Sequence, residues 1–265
     1  KAAKSAAARD QFNARVASYN LGLALLKQRC PELAETVEYL RDLEPVKLGC
    51  ATSDIYRWLS RVPPVMTRKD FRTILSGACR ELVETNFATH ADPQVYYPRG
   101  VLLYGVAEIL RSRMCVDLLQ AGEVENFGRL MKISHDGDRV SRMSRDGRYE
   151  LTATNCSDEY LDRLVADLRS EDPQRVLQAQ LFMQPGAYAC STPEIDEMVD
   201  IASAVPGVVG AQLAGAGLGG CIMILAREQS VPAVRRALAT GYYRPRNLEP
   251  AAERCITVEG AGLAD

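Results

Sequence analysis

The segment Ala214–Cys221 reads AGAGLGGC, and its glycines at 215, 217 and 220 match the pattern G-x-G-x-x-G. In a dinucleotide-binding fold this pattern follows a strand and begins a helix, because the pyrophosphate binds at the helix N-terminus. Here the glycines are followed by Cys221–Ala226 (CIMILA), a short apolar run that predicts a buried strand. Residues 207–213 also predict a strand, and a helical pattern returns only at Val231. The sequence therefore favours a glycine loop between two strands over a dinucleotide-binding turn.

Helical periodicity dominates the chain before this loop. Apolar residues at steps of three and four predict helices over 11–29, 31–43, 67–86, 100–120 and 124–134. Thr67 and Asp70 predict an N-cap with an acidic partner three residues later. Shorter helices are predicted over 158–169, 173–183, 192–204 and 231–240, and a last strand over 254–258. The fold class is therefore predicted to be α+β.

Three parts of the chain differ in pattern. Residues 1–135 are mainly helical, residues 136–187 are predicted to be a surface excursion that begins with an exposed loop over 136–149, and residues 188–265 predict the order helix–strand–strand–helix–strand. That order is one strand short of a βαββαβ unit, so the predicted sheet keeps an unpaired edge. We expect the missing strand to come from sequence upstream of Lys1.

Composition excludes several functional classes. The net charge of −2 over 265 residues gives no basic footprint for a nucleic-acid partner. No apolar run approaches the roughly 20 residues that span a bilayer, so no membrane partner is predicted. The eight cysteines lack close spacing and there are only two histidines, which favours reduced thiols in a cytoplasmic protein and predicts no metal site in this chain.

Four motifs in order carry a resemblance to a known family. They are Phe127–His135 (FGRLMKISH), Cys190–Asp196 (CSTPEID), Val205–Ala211 (VPGVVGA) and the glycine loop itself. Together with the opening AAARDQFNARVASYN they resemble the C-terminal part of galactokinases, in the GHMP small-molecule kinase family. The resemblance implies a C-terminal GHMP-kinase-type domain in which helices pack on a small antiparallel ferredoxin-like sheet.

The resemblance also implies a chemistry. Such a protein is an ATP-dependent kinase that transfers the γ-phosphate of ATP to the anomeric hydroxyl of a hexose, with Mg²⁺ as cofactor. The family's acidic sugar loop, serine-rich phosphate loop and catalytic base belong to an N-terminal half, and none of their motifs occurs in this sequence. We therefore expect this chain to contain no catalytic residue, to be inactive alone, and to have the missing half, with the Mg²⁺ ligands, as its partner.

Two parts of this chain are expected at the ligand site by the same resemblance. The loop Gly215, Ala216, Gly217, Leu218, Gly219 and Gly220 is expected beside the nucleotide phosphates, with Gly217 at φ > 0 or close to phosphate. Phe12 stands where the family has a sugar-contacting tyrosine. A plain glycine hairpin without a ligand remains an alternative for the loop.

Two departures bear on the substrate. Ala214 stands where the family usually has threonine before the glycines, and Phe12 lacks the phenolic hydroxyl. They leave open a galactokinase-like sensor that binds sugar and ATP without catalysis, or a kinase for another sugar such as a uronic acid or arabinose. His135, in the Ser-His pair, is expected to be a structural hydrogen-bonding group.

Overall fold

The computed structural model describes residues 2–152 and 156–255. Within them lie eleven α-helices and two antiparallel hairpins, and the prediction of an α+β fold is confirmed. The helices are α1 (Ala8–Arg29), α2 (Pro45–Leu48), α3 (Thr52–Ser60), α4 (Arg68–Ile74), α5 (Arg80–Phe87), α6 (Pro98–Gln120), α7 (Val124–Asp138), α8 (Asp158–Asp167), α9 (Pro173–Gln178), α10 (Pro193–Ser203) and α11 (Val231–Leu238). The strands are β1 (Ser141–Met143), β2 (Tyr149–Leu151), β3 (Val208–Ala214) and β4 (Cys221–Ala226).

The largest of three hydrophobic clusters in the described residues lies within the helical part. Helices α1 and α6 pack along each other, and fully buried side chains on them, including Leu21, Leu25 and Leu102, face Tyr56 and Leu59 of α3. The caps follow the sequence signals, since the Thr67 hydroxyl accepts a hydrogen bond from the Asp70 amide and the Asp70 carboxylate accepts one from the Thr67 amide. Local sequence therefore sets the N-terminus of α4, and apolar burial holds the helices together.

A second core lies between the β3–β4 hairpin and helices α10 and α11, and it contains Ile195, Leu213, Val234 and Leu238. Strands β3 and β4 pair antiparallel with Ala214 opposite Cys221, so the loop 215–220 closes the hairpin. Of Ser191 and Thr192, either of which the sequence allows as the N-cap of α10, it is Thr192 that accepts a hydrogen bond from the Ile195 amide, with Pro193 in the first helical position. The β3–β4 hairpin and its two helices therefore hold the glycine loop in place.

Helix α7 lies along β3, on the edge that faces away from β4. A Cβ at Gly128 of α7 would stand 2.5 Å from the Val209 carbonyl oxygen, and one at Gly210 would stand 2.7 Å from the Gly128 carbonyl oxygen. Only glycine at these positions allows so close an approach of helix and strand backbones. The glycine of the Phe-Gly pair in the FGRLM motif is therefore required for packing. Helix α7, which this glycine lets approach, covers one edge of the β3–β4 hairpin.

Residues 136–187 differ from the predicted surface excursion. The β1–β2 hairpin is exposed at its tip, but α8 packs on α3 and buries Leu161 and Leu164 in the largest hydrophobic cluster. The fully buried Arg99 of α6 donates to the carbonyl oxygens of Val62 and Cys156, which ties this segment to the helical part. The segment is largely a structural layer, because its apolar side chains complete a core that the preceding helices leave open.

Other predicted elements have different outcomes. The helix expected over 31–43 is replaced by two short 3₁₀ turns, Pro31–Leu33 and Leu40–Asp42. The strand expected over 254–258 lies mostly outside the described residues, and Arg254 and Cys255 are in no regular element. Of the helices within the described ranges, none has both the length and the apolar character that crossing a bilayer requires.

Candidate functional site

The glycine loop has an unusual backbone. Five of its six residues have positive φ, with values of +81° at Gly215, +76° at Gly217, +56° at Leu218, +107° at Gly219 and +96° at Gly220. Leucine rarely adopts such a φ, and glycine adopts it at little cost. A two-residue hairpin turn needs at most two such positions, so the loop is more elaborate than joining two strands requires.

The second half of the loop packs against the chain's own backbone. The Leu218 amide donates a 2.6 Å hydrogen bond to the Cys190 carbonyl oxygen, and a Cβ at Gly217 would lie 2.1 Å from that oxygen. A Cβ at Gly219 would lie 2.4 Å from the Ala3 carbonyl oxygen. The expectation of a positive φ at Gly217 is confirmed, but the group that comes close in the direction of its missing Cβ is the Cys190 carbonyl.

The start of the chain also contacts the β3–β4 hairpin, at Gly220. Ala2 and Gly220 exchange two hydrogen bonds, of 2.7 Å from the Ala2 amide and 2.8 Å from the Gly220 amide, as in an antiparallel bridge. From there the chain passes Lys4, whose Cε lies 3.9 Å from the Cβ position of Gly220, and enters α1 at Ala8. The loop and the N-terminal end of α1 are therefore joined by main-chain contacts.

The first half of the loop is open. Gly215 and Ala216 are exposed, and a Cβ at Gly215 would meet no atom within 4 Å. Their amides make no hydrogen bond within the described residues. Free amides at a positive-φ turn can bind an anion, so the part of the loop suited to phosphate is Gly215–Ala216, with the lysine at position 4 near the other side of the loop.

Phe12 lies in the first turns of α1, just after the segment that borders the loop. Its side chain is half-buried and belongs to none of the three hydrophobic clusters of the described residues. A partly exposed aromatic ring outside the core has a face free for an apolar or sugar-ring contact. Its role at a substrate site stays a prediction, since the structure contains no ligand.

His135 connects α7, α10 and the strand that leads into the loop. Its Nδ1 accepts a 3.3 Å hydrogen bond from the Leu213 amide, which places the ring proton on Nε2, 3.4 Å from Asp196 Oδ1. Burial alone would raise the pKa of Asp196, but the polar groups around it hold the pKa below its usual value: the nearby His135 ring, Ser191, and the Ser141 amide and hydroxyl, which both donate hydrogen bonds to Asp196 Oδ2. His135 thus acts as a structural hydrogen-bonding group that holds Leu213, the residue directly before Ala214.

A second buried carboxylate lies near the Cys190 segment. Asp138 is 7% exposed, accepts a 3.0 Å hydrogen bond from the Tyr104 hydroxyl, and leaves its Oδ1 without a partner among the described residues. Burial raises the pKa of Asp138 to about 7, although the Tyr104 hydrogen bond acts in the opposite direction. Sequence patterns gave no signal for this carboxylate, because its burial depends on residues far away in the chain.

A metal ion would be bound by side-chain ligands and not by the backbone amides of the glycine loop. Within residues 2–152 and 156–255, no three His, Cys, Asp or Glu side chains come together in a way that would hold a metal ion. A nucleotide-bound Mg²⁺ commonly takes only one or two protein carboxylates, so this observation concerns a metal ion held by the protein alone. That the Mg²⁺ ligands lie in another part of the protein stays a prediction.

Comparisons with known proteins point to one family. The family model of the GHMP kinases C terminal matches residues 164–244, which include α10, β3, the glycine loop, β4 and α11. A galactokinase of Roseiflexus sp. (strain RS-1) is 26% identical over 185 residues, which cover 70% of this chain and 36% of the relative. A galactokinase of Actinobacillus succinogenes is 38% identical over 74 residues, which cover 28% of this chain and 19% of the relative.

These matches cover only about a third or less of the relatives' length. The matched region contains the glycine loop and the helices that hold it, so the resemblance and the geometry concern the same part of the molecule. Residues 164–244 thus match the C-terminal family model of the GHMP kinases, and parts of the chain are similar to galactokinases.

Proposed function

We propose that this chain is the C-terminal part of an ATP-dependent sugar 1-kinase, similar to galactokinase, that transfers the γ-phosphate of ATP to the anomeric hydroxyl of a hexose. The observation that carries the proposal is the open Gly215–Ala216 half of the loop. Its two free amides lie at the end of a rigid hairpin, and the other half of the loop is fixed by Cys190 and the Ala2–Lys4 segment.

Phosphoryl transfer requires little covalent chemistry from a protein, since charge stabilisation and alignment provide most of the rate enhancement. The role we assign to Gly215 and Ala216 is to donate main-chain hydrogen bonds to nucleotide phosphate oxygens. Phe12 contacts the sugar ring from the start of α1. The base, the main phosphate loop and the Mg²⁺ ligands come from the N-terminal half of the complete protein, which is the partner of this chain.

The loop assignment is tested by a charge at the open position. In the complete protein, Gly215→Asp places a carboxylate beside the two amides, where it competes with phosphate. We expect the KM for ATP to rise at least about tenfold. The matched control is Gly122→Asp, because Gly122 has a similar φ of +73°, has no atom within 4 Å of its Cβ position, and lies after α6. An unchanged KM for ATP in Gly215→Asp would refute the assignment and would mean that the loop is a plain hairpin without a nucleotide contact.

The reaction is tested with the complete protein, ATP, Mg²⁺ and a panel of galactose, glucose, arabinose and galacturonate. We expect ADP release with one of these sugars and an anomeric phosphate ester, identified by its ³¹P–¹H coupling. The absence of Tyr at position 12 and of Thr at position 214 makes a sensor the second candidate. Saturable binding of sugar and ATP without ADP release would establish that alternative and refute the kinase.

A further inference from the structure

The segment that holds the glycine loop is itself in a strained conformation. Ala189 has a φ of +53°, in the left-handed region that alanine adopts only at a cost. The next residue, Cys190, carries the carbonyl oxygen that accepts the 2.6 Å hydrogen bond from the Leu218 amide. A strained segment keeps its conformation only where its surroundings hold it, so the contacts of residues 188–190 decide where Leu218 lies.

One set of these contacts comes from the end of α7. The Tyr188 and Ala189 amides donate hydrogen bonds of 2.9 Å and 3.0 Å to the Gly137 carbonyl oxygen. Both bonds use amide groups of the segment. The carbonyl oxygen of Ala189, in the strained residue itself, therefore needs a different donor.

That donor is Arg15 of α1, whose Nη2 lies 3.5 Å from the Ala189 carbonyl oxygen in a long hydrogen bond. Burial and the charge of Asp138 raise the pKa of the Cys190 thiol to about 12, and the charge of Arg15 and a hydrogen bond from it act in the opposite direction. The guanidinium thus lies beside both Ala189 and Cys190. Arg15 is half-buried, and among the residues that the structure describes no carboxylate forms an ion pair with it. Its polar contacts are therefore with this segment.

Arg15 also lies next to the expected sugar contact. It follows Phe12 by three residues, and residues three apart are neighbours on the surface of a helix. Earlier in the chain, residues 2–3 contact residues 219–220. The start of the chain therefore reaches the glycine loop at two places, directly at residues 219–220 and, through Arg15, at residues 217–218.

We infer that Arg15 is a positioning residue, which holds Ala189 and Cys190 in place and through the Cys190 carbonyl fixes the packed half of the glycine loop. The open half, Gly215–Ala216, then keeps the conformation in which its amides are available to phosphate. The effect on ATP rests on the proposed function, whereas the effect on the loop does not. Arg15 acts through Cys190 and touches no ligand.

The first test is amide hydrogen exchange at single-residue resolution, with Arg15→Met in the complete protein. Methionine keeps an apolar stem and removes the donors. We expect the Leu218 amide to exchange at least about fivefold faster than in the parent, while the Leu213 amide, which bonds to His135, keeps the parent's rate. Unchanged exchange at Leu218 would overturn the inference, and so would equal acceleration at both amides, since that result shows a general loss of stability.

The second test measures KM for ATP and kcat separately, in Arg15→Met, Arg15→Lys and the control Lys27→Met. Lys27 is a half-buried cation near the other end of α1, and it has no hydrogen bond or ion pair within the described part of the chain. A smaller folded fraction lowers the apparent kcat and leaves KM unchanged, so a rise in KM reports on the site itself.

We expect the KM for ATP to rise at least about fivefold in Arg15→Met and less than about twofold in Arg15→Lys, which keeps a donor for the Ala189 carbonyl. Lys27→Met should leave this KM unchanged. In a protein with turnover, an unchanged KM for ATP in Arg15→Met would overturn the inference. A rise in the KM for sugar alone would also overturn it, because Arg15 would then contact the sugar.

The two tests separate this inference from the proposed function. Faster exchange confined to Leu218, in a protein that neither binds ATP nor releases ADP, would support the positioning role and refute the kinase. Sugar-dependent ADP release by a protein in which Arg15→Met leaves Leu218 exchange unchanged would support the kinase and overturn the positioning role.

Discussion

Replacement of Gly217 by alanine tests whether the glycine loop is held by its own chain. Its φ of +76° costs an alanine about 1–2 kcal/mol, and the added Cβ would stand 2.1 Å from the Cys190 carbonyl oxygen. That contact is shorter than any real Cβ contact, so the loop must shift and the hydrogen bond from Leu218 to Cys190 must weaken.

The magnitude follows from a comparison with Gly122→Ala. Gly122 has a φ of +73° and open space at its Cβ position, so its replacement by alanine measures the cost of backbone conformation alone. Gly217→Ala adds the lost hydrogen bond, about 0.5–1.5 kcal/mol, and overpacking of about 1–3 kcal/mol. We expect it to be less stable than Gly122→Ala by about 1.5–4.5 kcal/mol.

Thermal unfolding followed by circular dichroism measures this difference. For a protein of this size, about 2 kcal/mol corresponds to a Tm roughly 4–8 °C lower for Gly217→Ala than for Gly122→Ala. Equal Tm values for the two variants would refute the reasoning, since the approach of Gly217 to Cys190 would then have no energetic consequence. An effect of Gly217 on nucleotide affinity should be interpreted only after this structural cost is known.

Three other predictions concern His135, Asp138 and Phe12. His135→Phe leaves the buried Leu213 amide without an acceptor, so urea unfolding should show a loss of about 1–3 kcal/mol, and unchanged stability would contradict the hydrogen bond. The folded-state pKa of Asp138, about 7, is above its usual value of 3.8, so its contribution to stability is present below pH 4 and is lost as the pH rises to 7. Asp138→Asn should remove the part of this loss that falls between pH 5 and pH 8, about 3 kcal/mol at most, and parallel pH profiles of unfolding for the two proteins would contradict it. Phe12→Tyr adds a hydroxyl at the expected sugar site, so kcat/KM for galactose should rise roughly 2- to 12-fold relative to other sugars, whereas lower stability with unchanged KM values would make Phe12 a core residue.

The sequence predicts those parts of the fold that depend on local signals. The local signals are the apolar spacing in α1 and α6, the Thr67 cap and the apolar run of β4. The structure has these elements within a few residues of the predicted bounds. The helix over 31–43 is wrong for a physical reason. Asp42 accepts hydrogen bonds from the amides of Glu38 and Tyr39, which stabilises a turn where a continuous helix was expected.

The sequence predicted that the candidate site contains a glycine loop, but it did not predict which groups the loop contacts. The glycine pattern indicated positive φ values and a hairpin, and both are present. The partners of Gly217 and Gly219 are the Cys190 and Ala3 carbonyls, which are distant in sequence and have no side-chain signature. Only the structure therefore separates the packed half of the loop from the open Gly215–Ala216 half.

The pairing of Ala2 with Gly220 also has a consequence for folding kinetics. These residues are far apart in the 265-residue sequence, so their contact closes a loop that includes most of the described residues. Contacts of such long range form late, because the entropy of loop closure must first be offset by the packing of the intervening helices. During synthesis, the N-terminal residues leave the ribosome long before Gly220 does. The glycine loop is therefore expected to acquire its final conformation in the last steps of folding, after the helical core has formed.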